Sequence, residues 1–241
     1  MTKTLQSCHC SLILTLALTS LPVACTQSIP IKQIGTWPGY FRGEANSVFM
    51  VGTTAYVGLR SSPTGSLWIV DASDPANPVR VGGWESPVVY NRGSYIGVHV
   101  VGNLAYVADD IAGLSVLDIS NPANPIRIGA CAVSGGRATS VFVSGLRAYL
   151  SCYQGGLQVI DVADPANPVW LGGADTPGLA MDVKVAGDFA YVADDAIGGA
   201  TGGLYVFDVR NPAKPTLAGS YVNRGRGMSV AVEGARAYLA D

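Results

Sequence analysis

"GLQVIDVADPANPVWLGG", Gly156 to Gly173, joins two apolar runs through a loop that two prolines interrupt. Proline has no N–H to give to a ladder, so the run through Val159 and Ile160 must end near Asp161 and a new one begin at Val169. An aspartate at such a strand end is placed to accept backbone N–H groups of the turn. The chain repeats the device. Trp68-Ile-Val-Asp71 precedes ASDPANPVRVGG, Val116-Leu-Asp118 precedes ISNPANPIRIGA, and Phe207-Asp208 precedes VRNPAKPTLAGS. Asp71, Asp118, Asp161 and Asp208 therefore read as structural turn acceptors.

A second signature alternates with the first: Val51-Gly-Thr-Thr-Ala-Tyr56, Val101-Gly-Asn-Leu-Ala-Tyr106, Ser144-Gly-Leu-Arg-Ala-Tyr149, Ala186-Gly-Asp-Phe-Ala-Tyr191 and Glu233-Gly-Ala-Arg-Ala-Tyr238. Each unit supplies four short strands, a to d; around Tyr149 these are Val141-Phe-Val, Ala148-Tyr-Leu, Leu157 to Asp161, and Val169-Trp-Leu. No stretch after the N-terminal segment carries the three-and-four spacing of an amphipathic helix. The expectation is an all-β chain. Four-stranded repeats of about 40–45 residues suit β-propeller blades, whose sheets bury both faces only by packing against neighbours around an axis.

"GLQVIDVADPANPVWLGG" together with "VKVAGDFAYVADD" resembles the LVIVD repeat family of bacterial and archaeal surface proteins, over nearly everything after Ile29. The resemblance implies a propeller-forming repeat in exported proteins and supplies no catalytic residues. Strands a, b and d recur five times and c four times, the first d-like strand being Ile31 to Trp37. The expectation is four complete blades plus an incomplete fifth, in a truncated piece of a longer repeat protein, with the propeller domain spanning residues 30–241.

Spacing distinguishes the two faces of the disc. From strand a to b the interval is constant: Val48 to Tyr56, Val98 to Tyr106, Val141 to Tyr149, Val183 to Tyr191, Val230 to Tyr238. From c to d it is constant too, Asp71 to Pro78 through Asp208 to Pro215. The b–c and d–a intervals vary, and in an antiparallel a-b-c-d sheet both those loops emerge on one face. Length variation confined to one face marks the binding face of many repeat proteins.

Residues 1–25 read as a signal peptide, with Lys3 ahead of the apolar stretch Ser11 to Ala24, too short to span a bilayer. Leu21-Pro-Val-Ala-Cys25 resembles a lipobox, which would make Cys25 a lipidation site; ordinary cleavage before Thr26 is the competing route. Either places the protein outside the cytosol: extracellular, at the cell surface or in the periplasm, with membrane attachment only through a lipid anchor. Export permits a disulfide between Cys131 and Cys152, while two small buried hydrophobes is the favoured reading. A net charge of -2 gives no electrostatic reason to expect nucleic acid.

Catalytic patterns are scarce. His99, in a strand a, reads as a packed residue rather than a base. Neither a nucleophile elbow nor a metalloprotease helix motif is present, and no cofactor or metal is expected. Asp109-Asp110 and Asp194-Asp195 read as solvated turn residues, since calcium requires more oxygens at other spacings. The best ligand candidates are arginines before strand a: Arg42, Arg92 and Arg224 at one equivalent position, with Arg137 and Arg226 two residues further on. If strand a lines the channel they ring its mouth and favour an anionic group; the competing reading pairs each with a neighbouring Asp. The expected function is a non-enzymatic surface binding or interaction module for a glycan, an anionic small molecule or a protein. Its rivals are an extracellular propeller enzyme, polysaccharide-active or quinone-dependent, and a purely structural scaffold.

Overall fold

The computed structural model describes residues 44–60, 65–87, 96–197, 201–223 and 225–241. The signal segment with Cys25, the strand expected at Ile31 to Trp37, and Arg42, Arg92 and Arg224 lie outside them.

Every described element is a strand. The first blade is β1 (Glu44–Val51), β2 (Thr54–Arg60), β3 (Ser66–Asp71) and β4 (Val79–Glu85). The second is β5 (Ile96–Val101), β6 (Leu104–Asp109), β7 (Leu114–Asp118) and β8 (Ile126–Cys131); the third is β9 (Ser140–Ser144), β10 (Arg147–Ser151), β11 (Leu157–Asp161) and β12 (Val169–Ala174). The fourth is β13 (Leu179–Ala186), β14 (Phe189–Asp195), β15 (Gly202–Asp208) and β16 (Thr216–Asn223), and β17 (Ser229–Glu233) pairs with β18 (Arg236–Ala240) as a two-stranded fifth. All pairs are antiparallel neighbours in chain order, giving four four-stranded propeller blades and an incomplete fifth. Gly52, Gly102, Gly145, Gly187 and Gly234 open the five a–b hairpin turns with φ of 57 to 59°, a conformation only glycine adopts without strain.

The core lies between blades. Tyr56, Leu67 and Ile69 of the first blade share one buried cluster with Val98, Val100, Ala105 and Val107 of the second. Tyr106, Leu114 and Val116 meet Val141, Val143, Ala148 and Leu150 of the third in the same way, and Tyr149, Leu157 and Val159 meet Val183, Ala190 and Val192 of the fourth. Each junction thus sets strands b and c of one blade against a and b of the next, which is why b and c are apolar on both faces.

The proline loop has two functions in this packing. Internally, Asp71, Asp118, Asp161 and Asp208 each accept the backbone N–H two residues on, at 2.8 to 3.0 Å. Asp74, Asn121, Asp164 and Asn211 repeat the bond one step later. Externally, the loop docks on the preceding blade. A β-bulge precedes the glycine of every strand d, bending it outward. A methyl group on Gly82 would overlap the Pro122 carbonyl oxygen, one on Gly129 that of Pro165, and one on Gly172 that of Ala213. Backbone meets backbone there, and only glycine leaves room.

Cys131 and Cys152 are both free thiols. Cys152 is buried in the cluster between the second and third blades with Cys131 packed against it, and burial pushes both thiols up from their ordinary range.

Candidate functional site: the axial channel

Strand a of each blade (β1, β5, β9, β13 and β17) faces the axis, and residues from all five line a cavity of about 720 Å³. With a period of two, the residues before and after the strand-a valine share one face. The row before it is Ser47, Gly97, Ser140, Asp182 and Ser229; the row after it is Phe49, His99, Phe142, Lys184 and Ala231.

The first row ties blades together. Ser47 Oγ donates to the Ile96 carbonyl of the next blade at 2.6 Å. Asp182 accepts from Ser140 Oγ of the third blade at 2.7 Å, and from Ser229 Oγ and the Val230 N–H of the fifth at 2.8 and 3.1 Å. Within its own strand it accepts the Val183 N–H and the Lys184 ammonium, the latter at 2.8 Å. Burial pushes the Asp182 carboxyl upward, but Lys184 and the hydrogen bonds outweigh this and hold it below its ordinary value. One carboxylate therefore joins three blades.

The second row is a wall of rings. His99 lies between Phe49 and Phe142, with ring centroids 4.6 and 4.7 Å away. It is half-buried, and burial, reinforced by the positive charge of Lys184, lowers its pKa from 6.5 to about 4. Neither ring nitrogen has a hydrogen-bond partner among the described residues. His99 is packed, as expected, yet it lines the cavity as a neutral imidazole with hydrogen-bonding capacity to spare.

The acidic pairs are not solvated turns. Asp109, Asp110, Asp194 and Asp195 are all buried, because the ends of β6 and β14 lie under the d–a links. Asp194 accepts from Thr176 Oγ1 and the Gly178 N–H, both at 2.8 Å, in the link entering its own blade. Asp109 accepts from Ser115 Oγ at 3.1 Å, and its Oδ1 has no partner among the described residues. Burial pushes both carboxyls up, against partial compensation from these bonds. The second acid of each pair reaches forward to an arginine of the next link. Arg137 holds Asp110 through Nε (2.8 Å) and Nη2, and Arg226 holds Asp195 through Nε (3.1 Å) and Nη2 (2.9 Å). Arg137 and Arg226 thus occupy equivalent positions on the variable-loop face and form forked ion pairs between blades. Asp110 and Tyr153, equivalent in the second and third blades, both have positive φ (44 and 49°), and the Tyr153 ring lies 5.9 Å from the Arg137 guanidinium carbon.

A family model for the LVIVD repeat matches four times, over residues 42–85, 92–133, 135–176 and 177–223. The chain belongs to the LVIVD repeat family. Its four matched repeats coincide with the four complete blades, and β17–β18 follow as the partial fifth. No curated protein matches the chain. Among solved structures, the computationally designed Ika8 protein is similar at a TM-score of 0.55 and 8% identity, over 86% of this chain and 70% of that one. A functionally unknown protein from Desulfotomaculum acetoxidans DSM 771 is similar at 0.58 and 13% identity, over 74% of this chain and 56% of that one. At such identities the likeness is one of fold alone.

Among the channel residues of this LVIVD protein, sequence reasoning singled out only His99. Phe49, Phe142, Asp182 and Lys184 escaped because the residues flanking the strand-a valine vary from copy to copy. Stacking the five strand-a copies and reading down the column after the valine is the signal that finds three of them.

Proposed function

We propose that the protein is a non-enzymatic, exported binding module whose ligand enters the axial channel from the variable-loop face. The observation that carries this is the channel wall. Five strands converge on one cavity, and its inner row serves blade-to-blade bonds while its aromatic row keeps an imidazole without a hydrogen-bond partner among the described residues. Among the described residues, the one carboxylate that lines the cavity, Asp182, is engaged by five donors, and Asp110, Asp195 and Asp194 are engaged by Arg137, by Arg226, and by Thr176 and Gly178. Pockets that mix aromatic walls with a few polar groups are the usual form of small-molecule sites.

An anion preference at the mouth rests on sequence. Arg42, Arg92 and Arg224 stand at the same offset before Val48, Val98 and Val230. Export rests on residues 1–25, with Cys25 as the lipid-bearing residue in the lipoprotein route. Intact-mass measurement of the mature protein from an exporting bacterium separates a diacylglyceryl adduct on Cys25 from a bare Thr26 start, and an unprocessed chain contradicts both.

A thermal-shift screen of the exported chain against oligosaccharides, organic acids and neutral metabolites tests the binding function. Stabilisation by one chemical class is expected. A blank screen alongside turnover of a polysaccharide or an alcohol contradicts the proposal.

A further inference from the structure

We infer that the channel accepts a small carboxylate with a flat apolar body, the carboxylate placed between Lys184 and His99 and the body against Phe49 and Phe142. The inference rests on the binding-module reading and names its ligand class.

Lys184, Phe142 and His99 hold the same strand-a position in the fourth, third and second blades, so an aromatic ring separates a cation from an imidazole along one wall of the cavity. Lys184 gives its ammonium protons to Asp182 and to the Val183 carbonyl at 2.8 and 3.2 Å, and an ammonium has three. One remains for a ligand. His99 at neutral pH offers one N–H and one bare nitrogen. Lys184 and His99 line the same cavity, which gives a negative acceptor access to both donors. A carboxylate accepts from both donors with charge-assisted bonds, whereas a neutral amide of the same shape accepts more weakly.

The remaining surface selects the body. Phe49 and Phe142 are half-buried on either side of His99 and line the cavity with it. Ring stacking and edge contacts favour a planar apolar group there. The Ser47, Ser140 and Ser229 hydroxyls already donate within the protein, so a ligand rich in hydroxyl groups meets few uncommitted partners.

Titration calorimetry with benzoate and benzamide on the full exported chain tests this. Benzoate is expected to bind about ten-fold or more tightly than benzamide, since a hydrogen bond to a charged group outweighs a neutral one. His99→Phe keeps a ring between the two phenylalanines but removes the nitrogens, and Lys184→Met removes the cation; each should cost about ten-fold in benzoate affinity and little for benzamide. Lys184→Met also disturbs Asp182, so His99→Phe, which leaves that network intact, is the decisive variant. NMR of wild-type His99 should show its imidazole pKa rising when benzoate is added. Equal affinity for the two probes overturns the carboxylate assignment while leaving the channel as a binding site. Benzoate binding that neither variant weakens overturns it as well. Failure of both probes, with another class found by the screen, overturns this inference alone; a blank screen overturns the reading beneath it.

Discussion

The junctions between complete blades and the two ends of the blade series are built from the same residues and have different surroundings. Val98, Val141, Val183 and Val230 are 8, 3, 0 and 2% exposed, because each packs on the preceding blade; the equivalent Val48, on the first blade, is 65% exposed. At the opposite end, Gly82, Gly129 and Gly172 touch the proline loop of the following blade, while Gly219 has no neighbour within 4 Å of its would-be side chain. Among the described residues, no c–d loop meets it. A repeat residue is therefore a junction residue first, and its importance depends on whether a neighbour stands beside it.

Variants sharpen that contrast. The largest effect belongs to Asp182, whose carboxylate joins three blades. Asp182→Ala should cost about 3 kcal/mol or more, since it strands a cation and several donors at once. Its folded-state carboxyl lies below its ordinary value, so this stabilisation is complete above the ordinary carboxylate range and is lost as pH falls through the folded value. Urea titrations at neutral and acidic pH, wild type against variant, should converge at low pH; parallel curves would contradict the assignment.

Val183→Ala should cost about 1.5–3 kcal/mol, the worth of a fully buried valine, and Val48→Ala within about 0.5 kcal/mol. Gly129→Ala should cost about 1–3 kcal/mol through overpacking against the Pro165 carbonyl, whereas Gly219→Ala should be near neutral. Similar losses at both members of either pair would show that a neighbour covers the ends after all. Thermal or urea unfolding is sufficient for each pair.

The ion pairs give a smaller contrast. Arg137 has a 19% exposed side chain and Arg226 a 72% exposed one, each holding a buried aspartate. Removing Arg137 should cost about 2 kcal/mol, and removing Arg226 about 1 kcal/mol because solvent screens it. His99 adds a pH-dependent term. Its folded pKa of about 4 lies below the unfolded 6.5, so stability should fall as pH drops across that window and level off below it. An NMR titration of the His99 imidazole that gives a value near 6.5 would contradict the packed, ring-flanked environment.

Blade count, strand order and the identity of the variable face were all legible, because each follows from local spacing: a constant a–b interval, a constant c–d interval, and prolines that must end strand c. The turn role of Asp71, Asp118, Asp161 and Asp208 was legible for the same reason. Burial of Asp109, Asp110, Asp194 and Asp195 was not, since it depends on the d–a links folding over the ends of β6 and β14, with Arg137 and Arg226 reaching back from the next blade's link. The contact of the strand-d glycine with the next proline loop emerges only when blades are stacked. The channel wall is hidden for a further reason. Its charged and imidazole members, Asp182, Lys184 and His99, each occur in one copy alone, and repetition draws attention to what is the same.

The claim that the channel, rather than its rim, holds the ligand is tested most directly by plugging it. Ala231 is exposed, lies in the row after the strand-a valine and lines the cavity from the fifth blade, so Ala231→Trp fills the channel without entering a blade junction. Calorimetry of the ligand returned by the screen should show binding lost in Ala231→Trp and retained when Arg42, Arg92 and Arg224 are all replaced by Gln. Binding that survives the plug and disappears with the arginines would contradict the account.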